Sequence, residues 1–277
     1  MPAMQTKAGP CLLYLILAFT LNAALLSAQV YVRDSGPELF TYDELVQLNS
    51  PQQLTPQLAD KLHKITTTPF INNEAWASGA KPRPIEVPNL GPTLRVACWN
   101  IERGLELDDI LLFLKNRDEW VAKVTDERKH AQEKGKRTRK IDLEDLPHEV
   151  DILKSADIWI LNEVDWGVKR TAYRNVVREL AEALGMNWAY GVEFLEIDSK
   201  QLGLDQFDDG EDAQSRQELL KVFSVEKDKL RAMHGNAVLS RYPIRNARLV
   251  PFTVGYDWFK ESKIRPLEIR VCQFICI

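Results

Sequence analysis

The sequence predicts a layered α/β domain, and three segments carry that expectation. Residues 94–104 read LRVACWNIERG, a short apolar strand that ends on Asn100. Residues 156–167 read ADIWILNEVDWG and deliver Glu163; the near-continuous apolar run from 157 to 161 is the pattern of a strand covered on both faces. Residues 234–244 read HGNAVLSRYPI, a third strand closed by a turn at Pro243, with residues 246–254 expected beside it. Between the second and third, Val176, Val177, Leu180, Ala181 and Leu184 fall at helical spacing, and Gly185 supplies a stop. Residues 188–195 alternate as a further strand. Strand, helix and strand early, with paired strands later, make a layered core.

The segments around this core divide by composition. Residues 30–92 form a preface in which 42–46 and 56–65 have the spacing of two short helices, with Thr41 and Thr55 as N-caps. Residues 81–92 carry four prolines and predict an extended linker. After Gly104, Leu107, Ile110, Leu111, Leu114, Trp120 and Val124 continue one helical face into a stretch dense in both charge signs. That stretch predicts a solvated helix running to about Val150. Residues 198–230 are polar and acidic, an exposed loop feeding a helix over 214–222. The acidic spacing at 208–212 does not fit a helix-loop-helix calcium site.

Bulk composition narrows the function classes. With 277 residues, 45% of them hydrophobic, the chain can bury one sizeable core and carry extra segments. A net charge of −4 excludes a global basic field for steering nucleic acid. One local run remains, Lys134, Lys136, Arg137, Arg139 and Lys140, as a candidate contact for nucleic acid or anionic lipid. The four cysteines, Cys11, Cys98, Cys272 and Cys276, contain no CxxC pair, so neither a zinc site nor a disulfide framework is indicated. No obligate protein partner is indicated either. Lys7, an apolar stretch of about 16 residues from Cys11 to Leu26, and Ser27-Ala28-Gln29 have the anatomy of a secretory signal peptide over 1–28. The apolar stretch is shorter than the ~20 residues of a membrane-spanning helix, and the alternative is an uncleaved N-terminal anchor. Either reading places the bulk of the chain outside the cytoplasm, secreted or periplasmic.

Apolar strands that stop at Asn100 and Glu163 suggest an oxygen-ligand site at the edge of a sheet. A hard cation such as Mg²⁺ takes carboxylate and carbonyl oxygens, keeps several waters and is completed by substrate phosphate. Arg170, in the WGVKRT run after Glu163, has a fork that matches either two phosphate oxygens or a carboxylate. His234 reads as a polar strand-edge residue or a phosphate contact, and Asn236 as a residue that stabilises local backbone or faces phosphate.

Taken together, Trp99-Asn100, Asn162-Glu163 and the GNAVLSRYPI segment 235–244 resemble the endonuclease/exonuclease/phosphatase superfamily, the deoxyribonuclease I-like fold. The resemblance covers roughly residues 94–252, with a charged helical insertion near 115–150. It implies a two-sheet α/β sandwich over residues 93–277, preceded by an N-terminal extension and linker over 29–92. It also implies phosphoester hydrolysis with a divalent cation, Mg²⁺ or Mn²⁺. By position, Glu163 becomes the principal metal ligand, Asn100 a ligand or its orienting partner, and Glu102 a nearby carboxylate. The same resemblance calls for a late Asp–His pair to activate water and an Asp-x-Asn segment to hold the transition state. Neither is found: all four histidines precede Tyr242, no G-D-x-N string occurs, and 26 residues follow Pro251. The expectation is therefore a sandwich incomplete at its C-terminus through truncation or frameshift. The alternatives are a non-catalytic relative that acts by binding, or a secreted lipid phosphodiesterase of sphingomyelinase type.

Overall fold

A computed structural model of the chain describes residues 31–50, 52–82, 84–136, 143–204, 224–251 and 273–276. The expected leader 1–28, residues 137–140 of the basic run, the acidic cluster 208–212 and the helix expected over 214–222 lie outside the described residues. Among those described, no helix is long and apolar enough to cross a membrane.

Local chemistry fixes the two preface helices as the sequence predicts. In α1 (Tyr42–Asn49) the Thr41 hydroxyl accepts from the Glu44 amide at 3.3 Å, and the Glu44 carboxylate accepts from the Thr41 amide at 2.8 Å. Two orphan amides are satisfied by this reciprocal pair. In α2 (Pro56–Thr67) Thr55 caps the Leu58 amide at 3.3 Å, and Pro56 occupies the first turn, where its missing N–H costs nothing. Lys61 then reaches back to Glu44 at 2.8 Å and joins the two helices. Leu45, Leu48, Leu58, Leu62 and Ile65 are the buried apolar residues of this pair.

Residues 81–92 differ from the extended linker expected of them. They include a small hairpin, β3 (Ile85–Val87) against β4 (Gly91–Thr93), whose turn needs left-handed backbone at Asn89.

The core is a six-stranded mixed sheet. Its members are β1 (Asp34–Ser35), β2 (Phe70–Asn72), β5 (Val96–Arg103), β6 (Ile158–Trp166), β7 (Asn187–Leu195) and β8 (Met233–Ser240), in the spatial order β1-β2-β7-β8-β6-β5. Only β5 and β6 run parallel; the other pairs are antiparallel. One face is packed: Trp159, Leu161 and Val164 of β6 lie under a helix layer that includes α7 (Val176–Leu184). That helix buries Val176, Val177, Leu180 and Ala181, starts at Asn175, which caps the Arg178 amide at 3.0 Å, and ends at left-handed Gly185 as expected. The other face is open at its β5 side, where Val96 is 53% and Ile160 38% exposed and Cys98 is exposed beside them.

Three expectations need correction. The apolar periodicity from Leu107 to Val124 does not belong to one helix. Asn116 leaves helical geometry (φ −140°, ψ 79°), ends α4 (Leu107–Lys115) and caps α5 (Arg117–Glu133) through the Glu119 amide. The charged stretch does not continue unbroken to Val150 either: α5 stops at Glu133, and α6 (Leu146–Lys154) is a separate helix. The strand expected next to β8 forms as β9 (Arg248–Pro251), but its partner is β10 (Gln273–Cys276), in a separate antiparallel pair. With a short α3 (Glu74–Ala77), the described residues hold seven α-helices in a mixed α/β fold.

Removal of the Thr41 cap in Thr41→Ala is expected to lower stability by about 1 kcal/mol. The Glu44 carboxyl supplies the pH signature. Burial alone would raise its pKa, but the Lys61 ammonium and the Thr41 amide outweigh burial and hold it below its ordinary 4.5. A depressed folded-state pKa gives stability that is present above the unfolded value and is lost as pH falls through the folded one. Denaturant melts of Glu44→Gln should therefore show a deficit at pH 7 that closes in acid below 4.5; a deficit unchanged by acid contradicts the assignment.

Candidate active site

Parallel pairing brings the C-terminal ends of β5 and β6 to one edge of the sheet, with Asn100 in register with Asn162. At that point both strands depart from regular pairing. The β5–β6 register shifts between Asn100 and Arg103, and the β6–β8 register shifts between Leu161 and Val164. An extra residue in a ladder bends the strand and re-aims a side chain. Here the residue is Glu163, in left-handed backbone at φ +55°, faced by Glu102 at +49° and Arg103 at +68°. Such conformations cost about 1–3 kcal/mol for residues with a Cβ and cluster at functional sites.

The result is a defined contact. Asn100 Nδ2 donates to Glu163 Oε1 at 2.9 Å, and Asn100 Oδ1 accepts from the Glu102 backbone amide at 2.9 Å. Glu102 thus meets the site through its backbone amide, and its side chain is exposed. Gly104 closes the turn at φ +82°, where a Cβ would sit 2.7 Å from Val176 at the start of α7.

Beside this pair lies a charged network that sequence reasoning reached only in part. Asp165, fully buried, accepts from Arg170 Nε at 2.7 Å and Nη2 at 2.9 Å, and from His234 Nδ1 at 2.8 Å. Glu196, 26 residues farther along than Arg170, takes the opposite edge of the guanidinium at 2.5 and 2.7 Å. Burial would lower the Arg170 pKa, but the Glu196 and Asp165 carboxylates raise it, so the charge is permanent. Of the two partners considered for the Arg170 fork, the structure supplies carboxylates. The His234 ring also lies against Phe194, with centroids 4.5 Å apart.

The Asn236 side chain reaches a neighbouring strand in place of its own backbone: its amide donates to Glu193 Oε2 at 3.3 Å. Glu193 was not singled out by sequence reasoning, although it is the one residue of β7 that is not buried. Gly191, directly opposite Asn236, adds no side chain to this surface. Tyr190 anchors the bulge from the packed face, its hydroxyl donating to the Val164 carbonyl at 3.1 Å. Burial first, and then the charges of Asp165, Glu193 and Glu196, push its pKa well above 10, so it stays a donor.

The structure therefore brings together Asn100, Glu163 and the Glu102 backbone, and a second set of Arg170, His234, Asp165 and Glu196. Asn236 and Glu193 lie on the strands beside them. Among the described residues no three His, Cys, Asp or Glu side chains converge as a metal-holding group. A single carboxylate beside an amide suits Mg²⁺ in the manner of a cation that keeps most of its waters. No family model, curated protein or solved structure matches the chain.

Two substitutions test this local geometry. Glu163→Gly relieves the left-handed strain and should raise stability by about 1 kcal/mol in thermal melts, the usual exchange between a strained site and stability; a loss of stability contradicts the strain. Gly235→Ala would place a Cβ 1.9 Å from the Gly191 carbonyl oxygen. It should destabilise by about 1–3 kcal/mol or more through forced separation of β7 and β8, and a neutral effect would show that the strands lie farther apart.

Proposed function

We propose that the chain is a metal-dependent phosphoester hydrolase of the endonuclease/exonuclease/phosphatase type. The observation that carries this reading is the Asn100–Glu163 pair, held by strained backbone at the carboxyl ends of two adjacent parallel strands. Ligands of open α/β sheets bind outside the carboxyl ends of strands. The two-sheet sandwich belongs to the same proposal, and the open face around Val96, Cys98 and Ile160 supports it as a surface suited to a second layer. Secretion is likewise proposed, on the leader at 1–28.

Glu163 would hold Mg²⁺ or Mn²⁺, with Asn100 orienting its carboxylate through the 2.9 Å hydrogen bond. When bound, the cation supplies charge stabilisation to a phosphoryl oxygen. Asn236 presents an amide along the same sheet face for a phosphate oxygen. Arg170 contributes by fixing Asp165 and Glu196, leaving phosphate binding to the amides and the cation.

The test is release of p-nitrophenol from bis(p-nitrophenyl) phosphate by the 277-residue chain, with Mg²⁺ and with chelator. Turnover should disappear with chelator and in Glu163→Ala, and fall about 10–100-fold in Asn100→Ala, as for partners that orient a metal ligand. Turnover indifferent to Glu163 would place the chemistry elsewhere. No turnover from folded protein would favour a non-catalytic, binding relative.

A further inference from the structure

We propose that Asn162 is a substrate contact of this site, an amide that donates to a nonbridging phosphoryl oxygen beside the cation; the inference rests on the hydrolase reading above. Three observations carry it. The first is a row of asparagines across three neighbouring strands. Asn100 of β5 is in register with Asn162 of β6. On the other side, the β6–β8 ladder passes from Leu161–Ala237 to Val164–Gly235, so Asn162 and Glu163 together face Asn236 of β8. Neighbouring strands lie about 4.8 Å apart, so adjacent members of the row can meet on one bound group.

The second observation is what the strain at Glu163 achieves. Successive residues of a regular strand point to opposite faces. Asn100 shares a face with Asn162, its partner in register, yet Asn100 Nδ2 bonds to Glu163 Oε1. The extra residue and the φ of +55° therefore bring the Glu163 carboxylate round to the face that holds Asn162. An amide and the proposed metal ligand are thus set side by side on consecutive residues.

The third observation is availability. Asn100 is committed to Glu163 through Nδ2 and to the Glu102 amide through Oδ1, and Asn236 Nδ2 donates to Glu193. Asn162 is exposed, one of two exposed residues of β6 with Ile160, and its side chain has no hydrogen-bond partner among the described residues. Asparagine is disfavoured in strands, and here its amide returns nothing to the fold. Its two N–H donors are left for a ligand, and a bond from them to an ionised oxygen is stronger than one between neutral groups.

The experiment follows hydrolysis of bis(p-nitrophenyl) phosphate with Mg²⁺ by wild type, Glu163→Ala, Asn162→Ala and Asn162→Val, with a thermal melt and a Mn²⁺ titration of each. A fall in kcat/KM of about 10–100-fold is expected in both Asn162 variants, the loss of one hydrogen bond to a charged group. Asn162→Val should melt at or above wild type, because valine suits an exposed strand position better than asparagine. Mn²⁺ affinity should stay within threefold of wild type, since the amide meets the substrate and not the cation. Activity and melting temperature that fall together, or Mn²⁺ affinity reduced tenfold, would overturn the assignment. So would a rate within threefold of wild type in Asn162→Ala while Glu163→Ala is inactive, a result that leaves the hydrolase reading intact. Inactive wild type overturns both. Should the variants fail to fold, nitrogen-15 NMR of wild type decides: the Asn162 side-chain amide is expected to shift when dimethyl phosphate is added with Mg²⁺, and an unmoved signal overturns the proposal.

Discussion

The arrangement depends on one constraint, the parallel pairing of β5 with β6. In an antiparallel pair Asn100 and Glu163 would leave the sheet at opposite edges. Parallel pairing brings both strand ends to one edge, and the two register shifts turn the Glu163 carboxylate onto the Asn100 amide. The geometry is held from both sides. Leu161 is locked in register with Trp99 and Ala237, Tyr190 holds the Val164 carbonyl, and Asp165 is fixed by Arg170 and His234. Three fixed points on either side of one residue make a left-handed glutamate tolerable.

The buried ionic network supports the same edge at a cost. Asp165 is fully buried, and taking carboxylates and a guanidinium out of water is repaid only by near-complete hydrogen bonding. Arg170 meets that condition with four contacts to two carboxylates. Replacing one partner would leave the others uncompensated, so the network joins the end of β6 to the residue after β7 and resists independent movement of either. Rigid support of this kind is what the proposed site would need, because chemistry tolerates little displacement of the reacting groups.

Features that depend on neighbours in sequence were legible. Thr41 and Thr55 cap as expected because an N-cap needs only the next turn, and Gly185 ends α7 for a similarly local reason. The three strand motifs marked β5, β6 and β8. Legibility failed where the decision was non-local or where periodicity misled. Leu107 to Val124 keeps one helical face, yet a single Asn116 amide caps better than it propagates. Nothing in residues 246–254 reveals that their partner lies beyond residue 272. The pairing of Arg170 with Glu196, and of Asn236 with Glu193, crosses strands and leaves no spacing signal. A glutamate at positive φ is invisible to composition, since the residue has no preference for it.

The most direct test of the central claim is paramagnetic. Mn²⁺ titrated into chain labelled with nitrogen-15 asparagine should broaden the Asn100 side-chain amide first, and Glu163→Ala should abolish that broadening. Broadening confined to other asparagines, or retained at Asn100 without Glu163, would show that the paired strand ends are not where the cation binds.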